Sequence, residues 1–221
     1  MTGKDLREAL RGGRRVYATS ILSPSPLWPA AVRETGVDFV FLDTEHIPQD
    51  RHALAWMCTA YKAVGLPPVV RIPNPDPFEA AKVFDGGASG VIVPYLERPE
   101  DLLAVLGAVK LRPLKGDRLA DALRDIHTLE PKLRAYLEKR NENNVLIANI
   151  ESIPAMERLD DILAVPGLDA VLIGPHDLTC SLGIPEEYQA PEFDRAVREI
   201  FGKARARGLG AQRGFRGGVD G

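Results

Sequence analysis

Val145-Leu146-Ile147-Ala148-Asn149-Ile150-Glu151 and, further on, Ala170-Val171-Leu172-Ile173-Gly174-Pro175-His176-Asp177 are apolar runs that each lead into an acid. Neither run alternates apolar with polar residues, which is the pattern of a parallel strand buried on both faces. Four more runs of this kind precede them: Val16 to Leu22, Phe39 to Leu42, Val69 to Ile72 and Val91 to Val93. Helical stretches separate the runs, so the chain is α/β, with a parallel sheet covered by helices. The expected architecture is a (β/α)8 TIM barrel, whose functional groups come from the carboxyl ends of the strands.

The helix starts have physical signals. Asp76-Pro77-Phe78-Glu79 offers an acid at the N-cap, proline at the first helical position and a glutamate placed to reach back to the cap. Arg98-Pro99-Glu100 and Ala190-Pro191-Glu192 resemble it. After Pro191, the residues Phe193, Ala196, Val197, Ile200, Phe201 and Ala204 recur at helical spacing and form one apolar face, which is core rather than a cofactor site. Between Leu102 and Asn144 the strand pattern lapses into helix or lid.

Of the 221 residues, 45% are hydrophobic and 27% charged, the profile of a globular domain, and the net charge of -3 leaves no basic stripe for nucleic acid. Charges at Lys4, Asp5 and Arg7 stand where a secretory signal would be apolar, and no run is long enough to span a membrane. The expected setting is the cytoplasm. Cys58 and Cys180 lie far apart, which indicates neither a zinc site nor a disulfide framework.

The polar residues that end the runs are Asp43-Thr44-Glu45-His46, Arg71, Glu151 and Gly174-Pro175-His176-Asp177. Glu151 and Asp177 close consecutive strands, so their carboxylates can converge on one hard divalent ion, Mg or Mn first and Co as well. Taken singly, each is as readily a helix or turn cap. A metal held by two carboxylates keeps positions open for a 2-oxo acid, to which it acts as a Lewis acid. Arg71, arriving from a buried strand, faces either an anionic substrate or a structural salt bridge with Asp43 or Glu45. His46 is a candidate general base or a hydrogen-bonded loop residue. Lys62, Lys82, Lys110 and Lys203 fall in helical stretches and Lys115 in a loop, which disfavours a Schiff-base mechanism.

Four segments, Asp38 to His46, Pro68-Val69-Val70-Arg71-Ile72-Pro73, Ile150-Glu151 and Leu172 to Leu178, resemble the HpcH/HpaI aldolases, the class II pyruvate aldolases typified by 4-hydroxy-2-oxoheptanedioate aldolase. The similarity runs from about Val16 to Gly210. It implies a barrel of the phosphoenolpyruvate/pyruvate type that cleaves 4-hydroxy-2-oxo acids to pyruvate and an aldehyde, with a place in aromatic compound catabolism. It further implies that Glu151 and Asp177 bind the metal, that His46 is the base and that Arg71 stabilises the enolate. Asn149, where the family often has Gln, and His176 join Arg71 and Asp177 in contacting substrate. The resemblance also implies that Asp85, in Phe84-Asp85-Gly86-Gly87, raises the basicity of His46. Since Asp85 precedes the strand at Val91, it belongs at the opposite end of the barrel, so it is expected to serve a neighbouring subunit in a homo-oligomer.

Six strand runs are visible before Gly208, against eight in a closed barrel. The expectation is a barrel domain over residues 1–211, incomplete at its C-terminus, followed by an irregular Gly/Arg-rich tail over residues 212–221. Such an open barrel is expected to aggregate or need a partner. Competing readings are a catalytically silent barrel acting as an interaction protein, and a CoA-thioester lyase of the citrate lyase or malyl-CoA lyase type.

Overall fold

The computed structural model describes residues 1–213, the last two as backbone only. In chain order the elements are α1 (Gly3–Arg11), β1 (Ala18–Ile21), α2 (Trp28–Glu34), β2 (Phe39–Asp43), α3 (Arg51–Ala63), β3 (Pro68–Arg71), α4 (Pro77–Asp85) and β4 (Gly90–Val93). Then follow α5 (Pro99–Lys110), α6 (Gly116–Arg124), a 3-10 turn (Ile126–Thr128), α7 (Pro131–Arg140), β5 (Val145–Ile150), α8 (Ile153–Glu157) and α9 (Leu159–Leu163). The chain continues through β6 (Ala170–Ile173), α10 (Pro175–Ser181), α11 (Pro191–Ala206) and β7 (Gly210–Arg213). All the strands pair in parallel and in sequence order, as a seven-stranded sheet. Among the described residues no pairing joins β7 to β1, and over these residues the barrel is unclosed. No helix of the described residues is long and apolar enough to cross a membrane.

Side-chain parity divides the core in two. Phe39, Val69, Ile92, Val145, Ile147, Ala170 and Leu172 pack on the inner face of the sheet. Their neighbours Val40, Val70, Val91, Leu146 and Val171 pack outward against the helices. The helix at Pro191 buries Phe193, Ala196, Ile200 and Ala204, as its spacing predicts, with Val197 and Phe201 at the margin.

Three features differ from the sequence reading. An N-terminal helix, α1, is present; Thr2 and Asp5 form a reciprocal capping box, and Leu6 and Leu10 insert beneath the inner face. Burying two leucines there contributes roughly 1.5–3 kcal/mol each. A seventh strand exists where six were expected, and it takes in Gln212 and Arg213, which had been assigned to an irregular tail. Strand pairing uses the backbone, which Gly210 and Ala211 supply as well as bulkier residues would. Gly210 is suited to the place, because a Cβ there would lie 3.0 Å from both the Ala170 and Leu10 Cβ atoms. The rest of the expected tail, Gly214 to Gly221, lies outside the described residues. Finally, Asp76 caps α4 alone, while Glu79 pairs with Lys82 instead of reaching back.

Candidate active site

The inner-face parity that is apolar at the base of the sheet turns polar at its carboxyl end. On β2 the sequence Phe39, Phe41, Asp43 climbs the inner face; on β3 it is Val69 then Arg71; on β5 it is Val145, Ile147, Asn149 and then Glu151. The register sets Asp43 beside Arg71, and Arg71 clamps it with Nε–Oδ1 at 3.0 Å and Nη2–Oδ2 at 2.6 Å. Arg71 Nε also lies 3.0 Å from Glu45 Oε2, and its guanidinium stacks over Phe41 at 5.5 Å. The salt bridge considered for Arg71 is therefore made, to both acids, yet neither pair involves Nη1. Burial works to raise Asp43, but the Arg71 hydrogen bonds and charge outweigh it and hold this carboxyl below its usual range.

Glu151 is buried just past β5. Its Oε1 accepts from the Tyr95 backbone N–H at 2.7 Å, and its Oε2 accepts from Asn149 Nδ2. It does not cap α8, since Ser152 does so through the Ala155 N–H. Asp177 lies in the first turn of α10, the helix that follows β6 directly. Both carboxylates converge above Gly174: a Cβ there would be 2.8 Å from Glu151 Oε2 and 3.3 Å from Asp177 Oδ2. Glycine at this position keeps that point open. Burial, then the Asp177 and Glu45 charges, push Glu151 up to about 7 against the opposing Tyr95 hydrogen bond and Arg71 charge. A carboxylate so placed is short of positive charge, and a divalent cation between Glu151 and Asp177 fits the need. No group of three or more His, Cys, Asp or Glu side chains that could hold a metal occurs among the described residues. Asn149, fully buried, keeps its Oδ1 without a partner beside the two acids.

The other expected residues fall in two places. His46 follows Glu45 at the rim, with Nε2 at 3.6 Å from Glu45 Oε1. His176 sits in α10 with Nδ1 at 3.7 Å from Glu186 Oε1. Asp85 ends α4, at the opposite end of the sheet from His46, where it pairs with Arg112. Tyr95 was not anticipated. It follows β4 in a left-handed backbone conformation, φ 52°, and the Glu45 carboxylate beside its hydroxyl raises the phenol above its ordinary value.

Residues 22–219 match the model of the HpcH/HpaI aldolase/citrate lyase family. The chain is 30% identical over 207 residues to a hydroxypyruvate/pyruvate aldolase of Sagittula stellata, covering 92% of this chain and 79% of that protein. It is 30% identical over 205 residues to a 2-keto-3-deoxy-L-rhamnonate aldolase of Salmonella gallinarum, covering 93% and 76%. The crystal structure of an HpcH/HpaI aldolase from Desulfitobacterium hafniense DCB-2 superposes with a TM-score of 0.82 at 26% identity, covering 97% of this chain and 83% of that one. The parallel sheet, the acids at its carboxyl end and these matches agree, and the chain belongs to the HpcH/HpaI aldolase/citrate lyase family.

Proposed function

We propose that the chain is a metal-dependent aldolase, a carbon–carbon lyase that cleaves a 4-hydroxy-2-oxo acid to pyruvate and an aldehyde in the cytoplasm. The observation that carries this reading is the convergence of Glu151 Oε2 and Asp177 Oδ2 above Gly174, on a floor that also holds Arg71. The names of the Sagittula and Salmonella relatives, both aldolases, support it. Glu151 and Asp177 would hold the cation, Mg, Mn or Co, because carboxylate oxygens are hard ligands. When bound, the cation supplies Lewis-acid polarisation of the 2-oxo acid.

His46 takes the proton from the C4 hydroxyl as the C3–C4 bond breaks. The C4 oxygen becomes the aldehyde carbonyl, and the bonding pair stays on the three-carbon fragment. Arg71 Nη1, outside the pairs with Asp43 and Glu45, meets the negative charge that develops there. Return of that proton to C3 through solvent yields pyruvate and restores His46. Asn149 and His176 contact the substrate, and Asp85 supports the His46 of a neighbouring copy in a homo-oligomer.

The test is pyruvate release from 4-hydroxy-2-oxo acids. EDTA is expected to abolish release and added Mg or Mn to restore it, while Glu151→Ala and Asp177→Ala lose metal binding without unfolding. Arg71→Ala should depress both pyruvate proton exchange and cleavage; His46→Ala should slow cleavage by ~10²-fold or more. Full activity in EDTA, or a borohydride-trapped lysine adduct with pyruvate, would overturn this mechanism.

A further inference from the structure

Tyr95 begins on the connection after β4 and its hydroxyl ends on Glu45, beyond β2. β3 lies between those two strands, so the side chain spans the carboxyl end of β3. The ring is nevertheless 58% exposed, so it presents an open face at the mouth. Its backbone is held by the N–H bond to Glu151, and its hydroxyl lies beside Glu45.

A second apolar wall faces the same mouth. Ala18 packs with the inner-face cluster and Ile21 with the outer one. Alternation carried one residue past β1 turns Leu22 inward. The register sets Ile21 beside Leu42, so Leu22 stands level with Asp43, and it is 64% exposed. One guanidinium, Arg71, stands against two carboxylates, Asp43 and Glu45, so the charge beside the mouth disfavours an anionic tail.

We propose that Tyr95 and Leu22 form the pocket for the aldehyde half of the substrate and select a neutral, apolar aldehyde over a hydroxylated one. This rests on the aldolase reading and deepens it. The floor residues define where the 2-oxo acid sits; the fragment beyond C4 projects toward the mouth and meets the ring and the leucine. An apolar group buries surface against both, whereas a polyhydroxylated one would lose water there without gaining partners.

The experiment runs the reaction in the direction of addition, with pyruvate and either benzaldehyde or glycolaldehyde, and compares kcat/KM for the two. Wild type is expected to favour benzaldehyde by at least about tenfold. Leu22→Ser and Tyr95→Asn, the latter chosen because asparagine accepts a left-handed backbone, should each reduce that ratio by about tenfold. A ratio is read within one variant, so partial loss of folded protein does not imitate the effect. Preference for glycolaldehyde, or a ratio unchanged in both variants with Leu22→Ser altering association instead, overturns the proposal. Deuterium exchange of pyruvate's methyl protons by wild type separates the two readings. Exchange without the aldehyde preference sinks only this inference, and no exchange sinks both.

Discussion

Glu151 carries an acid–base consequence that can be measured directly. Burial, with the Asp177 and Glu45 charges, raises it to about 7, so a cation entering the site must displace a proton from it around neutral pH. Metal affinity is therefore expected to be about tenfold weaker at pH 6 than at pH 8, with proton release on binding readable by calorimetry in buffers of different ionisation enthalpy. The stability of the metal-free protein has the opposite sign. A folded-state pKa above the ordinary 4.5 means that the contribution is fully present below that value and is lost as pH rises through 7. Glu151→Gln should accordingly stabilise the metal-free protein at pH 8 by up to about 3 kcal/mol, and a melt at pH 8 no higher than wild type would contradict it. Glu151 and Asp177 were legible in the sequence because an acid ending an apolar run stands out in a barrel. Tyr95 was not, since its part depends on a left-handed backbone and an N–H, which no side-chain pattern reveals.

At the base of the sheet a second buried cluster ties elements together. Lys110 of α5 reaches Asp169, just before β6, at 2.6 Å and donates to the Asn144 carbonyl; Asp169 also accepts from the Leu146 N–H of β5. Burial lowers the Lys110 pKa despite the Asp169 charge beside it. Removing Asp169 leaves the Lys110 charge buried without its acid, so Asp169→Ala should cost about 3–5 kcal/mol in chemical denaturation. Lys110→Met combined with Asp169→Ala should cost less than the sum of the two single changes, and strict additivity would contradict the pairing. The strands β5 and β6 were legible to the residue from runs that are apolar but for Asn149. α1 was not legible although Thr2-Gly3-Lys4-Asp5 has a capping spacing, because its short apolar face, Leu6, Ala9 and Leu10, is interleaved with Lys4, Asp5, Arg7, Glu8 and Arg11. β7 went unread because glycine and arginine composition says little about backbone pairing against a ready neighbour.

Across the whole molecule, β1 and β7 each leave one side unpaired among the described residues, and unpaired parallel edges invite association. The purified chain is expected to self-associate with rising concentration in size-exclusion chromatography with light scattering; a monodisperse monomer at all concentrations would contradict this. The sheet order was legible because consecutive parallel strands neighbour one another, whereas the strand number was not, for the reason given at β7. The insertion of Leu6 and Leu10 under the inner face has a kinetic meaning as well. With its base stopped, the sheet holds the 2-oxo acid deeper than the aldehyde, so fragments leave in the order of their depth: the aldehyde from the mouth first, pyruvate from the floor second. Pyruvate should then inhibit cleavage competitively against the hydroxy-oxo acid and the aldehyde noncompetitively, and the reverse pattern would show that the chain empties by another path.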